Sequence, residues 1–529
     1  MKQVMSRAAG AVLPGVLVVG LCLPASAYAA TCESLARLTL DNAKVTIAQE
    51  VAAGAFTPPG AAQASAARQG GTPPQSRAYA ALPAFCRVAA TLTPSSDSDI
   101  KIEVWLPASS RWNGKFQAVG NGGWAGSISY AALAGAVSAG YATASTDTGH
   151  VGNSGAFALG HPEKVVDFAY RSVHEMTLKA KAVIDAFYGT RPTLSVWNGC
   201  SQGGRQGIAE AVRYPSSYDA VIAGAPAVNW IHLHAGRMAI NRAVNATPAT
   251  VIPPSKYPFI NRAALAACDA RDGVADGVIE NPGACTFDPG TLACSAASGQ
   301  DQSACLTPGQ VESARKMYSG ASNPTTRASV LPGLARGSEL GWNVIGSAEP
   351  IMYAADAYKY VITKDRNWDP LKFNPSTDLD LALAADPDDA LGSTDPNMRA
   401  FFARGGKLLL YHGWSDPQVT PYNTIDFFQK VVGSQGGAGV GTSIQLYMLP
   451  GVNHCQGGPG TDNFDRMGAI EEWVKTGVAP KRIEAWHVTN GTTDRTRPLC
   501  PFGQVAKWNG TGSTNESSNF ACVAATLNP

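Results

Sequence analysis

The chain has 529 residues, and its 41 Lys and Arg offset 40 Asp and Glu to a net charge of +1. No basic run or patch stands out, which argues against nucleic acid and against anionic membranes as partners. Eleven cysteines without a C-x-x-C pair argue against a thiolate metal site.

Residues 1–29 read as an export signal. Lys2 and Arg7 give a positive start, Ala11 to Leu23 is apolar, and Ala25-Ser26-Ala27-Tyr28-Ala29 offers small-residue cleavage sites. The apolar run is too short for a membrane anchor. Leu21 is too bulky for Cys22 to serve as a lipoprotein site. Cutting after Ala29 removes Cys22 and leaves ten cysteines, an even number that fits disulfides in a bacterial periplasm or outside the cell.

Val51 to Gln75 is Ala, Gly, Pro and Gln with few large apolar residues, and reads as a loop. Asp99 to Leu106 then alternates, with Ile100, Ile102, Val104 and Leu106 set against Lys101 and Glu103, as a strand does. Further strands are expected over Phe116–Val119, Tyr141–Ser145, Thr193–Trp197 and Asp219–Gly224. Phe168, Val173, Met176, Ala180 and Val183 predict a helix over Asp167–Ala186. Alternating strands and helices predict an α/β layered fold with a mostly parallel sheet. The alternation stops between Pro226 and about Arg404, then resumes at Lys407–Gly413 and Ile444–Leu449. The expected architecture is an α/β-hydrolase core (30–225 and 405–529) with a large inserted lid domain (226–404). The Gly-rich run Gly433–Gly441 lacks the lysine and following helix of a phosphate cradle.

Gly199-Cys200-Ser201-Gln202-Gly203 spells G-x-S-x-G between a strand-like and a helix-like run, the context in which a serine becomes an exposed nucleophile. A serine hydroxyl needs a base, and the base an orienting acid. Asp416 follows the strand Lys407–His412, and His454 follows the next strand, so serine, acid and histidine occur in hydrolase order. Asp426 and Asp462 are reserve acids. His487 lies in a late strand-like run, Glu484–Val488, and reads as packed or surface; His412 reads as part of a strand end. Cys200 adjoins Ser201 and Cys455 adjoins His454, so a triad would bring these two sulfurs within bridging reach. For the oxyanion, one amide is that of Gln202; the other is expected from the loop Gly120–Trp124. Thr146–His150 is a polar strand end placed to brace that loop.

These motifs, with Trp112-Asn113-Gly114-Lys115-Phe116, Tyr411-His412-Gly413-Trp414-Ser415-Asp416, Pro450-Gly451-Val452-Asn453-His454-Cys455 and Arg497-Pro498-Leu499-Cys500-Pro501, resemble the tannase and feruloyl esterase family over nearly the whole mature chain. The resemblance implies a Ser201–His454–Asp416 triad, Gly123 as the second oxyanion donor, and a Cys200–Cys455 bridge. It also implies the pairs Cys32–Cys86, Cys268–Cys285, Cys294–Cys305 and Cys500–Cys522. The implied substrate is an ester of a phenolic aromatic acid, free or attached to plant polymer. Hydroxycinnamate esters rank first, ahead of gallate esters and the terephthalate monoester of ethylene glycol. A serine peptidase and a non-catalytic, calcium-dependent binding protein are the rivals outside the family.

Asp269, Asp272 and Asp276 recur at spacings of three and four among glycines, a hard-oxygen pattern suited to Ca²⁺ but not an EF-hand. The resemblance adds the carbonyls of Val274 and Val278 as ligands of a structural ion. Trp342, Tyr353, Tyr360, Trp368 and Phe373 are aromatic candidates for the ring pocket, each read first as lid core.

Overall fold

The computed structural model describes residues 30–59, 78–124, 126–295, 302–436 and 440–525. The expected export signal, residues 60–75 of the expected loop and residues 437–439 of the Gly-rich run lie outside the described residues. Among those described, nine strands form the main sheet: β1 (Ala43–Val51), β2 (Phe85–Leu92), β3 (Ile100–Pro107), β4 (Lys115–Val119), β5 (Ala142–Thr146), β6 (Leu194–Cys200), β7 (Ala220–Gly224), β8 (Lys407–Gly413) and β9 (Ile444–Leu449). Their order is β1-β2-β3-β5-β4-β6-β7-β8-β9. β1, β2, β3 and β5 pair antiparallel, and every pairing from β5 onward is parallel. This is the α/β-hydrolase fold.

The parallel strands are buried at nearly every position, which is why they read as short apolar runs rather than alternations. In β7, Ala-Val-Ile-Ala-Gly has no polar residue to turn outward, and helices cover both faces. These include α1 (Tyr130–Ser138), α2 (Ser172–Tyr188), α3 (Gln202–Arg213), α5 (Pro421–Ser434) and α6 (Arg466–Thr476), while α4 (Trp230–Val244) packs in the segment between β7 and β8. The helix expected over Asp167–Ala186 opens with a π-turn, Asp167–Arg171, before α2 begins.

Between β7 and β8 the chain leaves the sheet for helices and one short hairpin, Ala321–Ser322 with Ser329–Leu331. This segment packs around its own apolar core, to which Trp124, Ala158, Phe168 and Ala169 reach across from the sheet side. After β9, three antiparallel strands (Asn463–Phe464, Ile483–Thr489, Thr492–Leu499) and the hairpin Gln504–Trp508/Phe520–Ala524 complete the chain. Five disulfides join Cys32–Cys86, Cys200–Cys455, Cys268–Cys285, Cys294–Cys305 and Cys500–Cys522, matching the expected pairs. Among the described residues no helix is long and apolar enough to cross a membrane.

Candidate active site

Ser201 sits where β6 ends and α3 begins, with φ 62° and ψ −125°. A non-glycine residue there costs about 1–3 kcal/mol, which the surrounding structure must supply. The turn is held by the Ser201 amide donating to the Gly224 carbonyl at 2.8 Å, and by the Arg205 and Ala227 amides donating to the Ser201 carbonyl, both at 3.1 Å. The flanking glycines are required by close approach: a Cβ on Gly199 would lie 2.4 Å from the Gly203 carbonyl oxygen.

Asp416 follows β8 in a buried turn. Its Oδ1 accepts the Gln418 and Val419 amides at 2.7 and 3.0 Å, and its Oδ2 accepts His454 Nδ1–H at 2.6 Å. Burial alone pushes this carboxyl up. The neighbouring imidazoles outweigh burial and hold it well below the usual carboxylate range. His454 Nδ1 is thereby committed, which leaves Nε2 as the ring nitrogen free for chemistry. The Cys200–Cys455 bridge, with Cα atoms 6.0 Å apart, ties the residue before Ser201 to the residue after His454. Cys455 itself has φ 65°, a second strained residue at the same point. Among the described residues Ser201 Oγ makes no side-chain hydrogen bond.

His412, read from sequence as part of a strand end, is one; but its ring also reaches the acid. Its Nε2 lies 3.0 Å from Asp416 Oδ2 and 2.9 Å from the Val419 carbonyl oxygen, and its Nδ1 lies 2.8 Å from Thr424 Oγ1. The only sequence signal was its place four residues before the acid. The reserve acids lie elsewhere: Asp426 pairs with Lys430 at 2.7 Å on α5, and Asp462 accepts the Gly457 amide at 2.7 Å. His487 pairs with Asp494 at 2.8 Å in the late strand.

The loop Gly120–Trp124 follows β4 and faces α3. Asn121 fixes it, its amide donating to Gln206 Oε1 at 3.2 Å and its side-chain nitrogen to the Thr146 carbonyl at 2.6 Å. His150 Nε2–H donates to the Trp124 carbonyl at 2.6 Å, so the polar strand end does brace this loop. Gly123 has φ +57°, and a Cβ there would lie 2.6 Å from the Tyr353 ring, so only glycine fits. The Gly123 amide donates to no described residue, and the Gln202 amide, first in α3, has no carbonyl one turn back within its helix. Ser201 shares a small cavity with Gly123, Trp124, Gln202, Trp230, Arg237 and Tyr353. Arg237 Nε donates to the Gln418 carbonyl at 2.8 Å, securing the turn that carries Asp416. Of the five aromatic candidates, Trp342 and Phe373 are core and Tyr360 and Trp368 pack beside it. Tyr353 differs, because its ring covers Gly123.

A cavity of about 380 Å³ opens beside His454, and Gly277, Val278 and Ile279 share its walls. The acidic loop, distant from the serine turn in sequence, is thus close to the His454 loop in space. Within it, Asp269 accepts the Gly277 amide at 2.8 Å, Asp272 the Val274 amide at 2.9 Å, and Asp276 pairs with Arg497 at 2.6 Å and Arg495 at 3.2 Å. Burial pushes Asp272 up to about 6, and the charges of Asp276 and Asp269 add to the rise. As they stand, no three His, Cys, Asp or Glu among the described residues are gathered closely enough to chelate a metal.

The family model for tannase and feruloyl esterase matches residues 86–523. The chain belongs to the tannase and feruloyl esterase family. This family member is 34% identical to an esterase of Xanthomonas campestris, over 96% of this chain and 93% of that protein. It is 32% identical to the mono(2-hydroxyethyl) terephthalate hydrolase of Piscinibacter sakaiensis, over 85% of this chain and 87% of that one. The solved structure of feruloyl esterase B from Aspergillus oryzae superposes with a TM-score of 0.84 at 29% identity, covering 94% of this chain and all of that one. The tannase-family chain described here is an esterase acting on small ester substrates.

Proposed function

We propose that this esterase is exported and hydrolyses esters of phenolic aromatic acids, feruloyl esters first, through an acyl-enzyme formed on Ser201. The observation that carries the reading is the strained serine joined by one disulfide to a histidine that rests on a buried carboxylate. His454 Nε2 takes the Ser201 proton as Oγ attacks the ester carbonyl, and Asp416 stabilises the imidazolium that forms. The Gly123 and Gln202 amides bind the oxyanion. His454 then protonates the departing alcohol, and water, activated the same way, releases the acid.

Residues 226–404 act as a lid in this reading, with Trp124, Trp230 and Tyr353 flanking the acyl ring. The five disulfides favour folding in an oxidising compartment, and release of acids from plant polymer fits an exported enzyme. The choice of feruloyl esters follows the fungal feruloyl esterase likeness; the terephthalate monoester is the second reading, favoured by the bacterial relative. Steady-state kinetics on methyl ferulate, methyl gallate and mono(2-hydroxyethyl) terephthalate test the order. The expected result is the highest kcat/KM on methyl ferulate. A higher value on either other ester would replace that assignment, and hydrolysis of peptides alone would end the esterase reading.

A structural Ca²⁺ belongs to the same proposal. Asp269, Asp272 and Asp276 would hold it with the carbonyls of Val274 and Val278, and it would tie down the loop beside His454. The donor set is all oxygen and its partly buried carboxylates repel one another, which favours a cation, but the three carboxylates would have to draw together and Asp276 to turn from Arg495 and Arg497 to hold it. Chelation by EGTA is expected to lower the Tm and added Ca²⁺ to restore it, in scanning calorimetry, with a smaller fall in initial rate. An unchanged Tm would remove calcium from the account.

A further inference from the structure

The Asp416 carboxylate has more partners than the expected triad supplies. Oδ1 takes two backbone amides, and Oδ2 lies against two imidazoles, His454 Nδ1 at 2.6 Å and His412 Nε2 at 3.0 Å. The atoms around His412 fix its tautomer. The Val419 carbonyl oxygen, 2.9 Å from Nε2, can only accept, so Nε2 carries the hydrogen and shares it between that carbonyl and Asp416 Oδ2. In the neutral ring Nδ1 is then an acceptor, and the Thr424 hydroxyl, 2.8 Å away on α5, donates to it. His412, Asp416 and Thr424 are all fully buried, so water offers no alternative partner. This chain of hydrogen bonds runs from α5 through the end of β8 to the acid, and the amides of the turn hold the other oxygen.

We propose that His412 is a positioning residue of the ester-hydrolase reaction, an inference that rests on the Ser201–His454–Asp416 reading. A carboxylate held only by the Gln418 and Val419 amides could still pivot about its Cβ–Cγ bond, carrying Oδ2 and the His454 ring with it. The His412 N–H closes that freedom. It fixes the plane of the carboxylate, and through it the direction of His454 Nε2. The Thr424 hydroxyl anchors the other ring nitrogen and holds the imidazole in place. A preset acid–base pair contributes to the chemical step rather than to ground-state binding, so its loss appears in kcat.

The test compares four variants of the full chain on one ester. His412→Phe keeps the ring but removes the donor; kcat is expected to fall between about 10- and 100-fold with KM little changed. His412→Gln returns an N–H near the Nε2 position and is expected to recover most of that loss. Thr424→Val leaves the tautomer set by Val419 and Asp416 but removes the donor to Nδ1, loosening the ring and giving a smaller fall in kcat. Asp416→Asn sets the scale, with a loss of about 10⁴-fold. Should His412→Phe fail to fold, Thr424→Val and the low-field proton spectrum decide, because the N–H signal of His412 Nε2, assigned by its absence in His412→Gln, should shift in that variant. Equal kcat losses in the Phe and Gln variants, a rise in KM matching the fall in kcat, or a parent spectrum unmoved by Thr424→Val would each overturn the proposal. If Asp416→Asn left kcat intact, the triad reading itself would fall; if it lowered kcat by about 10⁴-fold while His412→Phe kept kcat at the parent value, only the present inference would.

Discussion

Ser201→Ala is expected to lower kcat on an aryl ester by about 10⁴- to 10⁶-fold, the range seen when a serine nucleophile is removed from a working triad. In the proposed mechanism the variant still has the Gly123 and Gln202 amides to bind the oxyanion, so a small rate above background should persist. The fold should survive. Ser201 Oγ makes no side-chain hydrogen bond among the described residues, and the turn is held by the backbone bonds to Gly224, Arg205 and Ala227. Alanine meets the same backbone strain as serine at φ 62°, so Tm should move little. The measurement is steady-state kinetics paired with calorimetry and with labelling by a fluorophosphonate, which should mark the parent and not the variant. Turnover near the parent rate would assign the chemistry to a different nucleophile. Loss of folding along with activity would leave a structural role, which labelling of the parent at Ser201 would then refute.

Replacing both Cys200 and Cys455 by alanine is expected to cost stability and rate together. The bridge spans a separation of 255 residues, and chain entropy for so long a loop gives up to about 4–5 kcal/mol, often less in practice. The catalytic cost comes from geometry. Cys455 holds φ 65° next to His454, a conformation that an unbridged alanine would tend to leave. A shift of about 1 Å in the imidazole could lower kcat by about 10²-fold. The control is Cys500→Ala with Cys522→Ala, whose bridge spans 22 residues and ties the C-terminal hairpin to the end of the strand Thr492–Leu499. That pair should lower Tm while leaving kcat close to the parent value. Equal kcat in both double variants would make the Cys200–Cys455 bridge a structural tie only.

Much of this was legible along the chain because the signals were local. Strands β3 to β9 are apolar runs or apolar–polar alternations bounded by turn residues, and each is expected within a residue or two except β6, where the expected run Thr193–Trp197 stops three residues short of the observed end at Cys200. The extension reflects the motif itself, since Asn198-Gly199-Cys200 has little strand propensity and is drawn into the sheet by pairing with Ile222, Ala223 and Gly224. β1 and β2 went unread. β1 is the edge strand with several exposed polar positions, and β2 mixes polar and apolar residues because only part of it faces the core. The C-terminal hairpins were mostly missed for the same reason, being short and half-exposed.

The order of serine, acid and histidine, the glycines around the turn and the paired cysteines are properties of the amino-acid sequence, since each is a local pattern that physics ties to one backbone geometry. What the sequence could not disclose is proximity between segments with no pattern in common. Only the tertiary structure placed Tyr353 over Gly123, the acidic loop beside His454, and the ring of His412 on the same oxygen that His454 uses. A hydrogen bond or a ring contact forms over about 3–4 Å, and that distance between remote residues is set by how helices and strands pack, not by the spacing of letters.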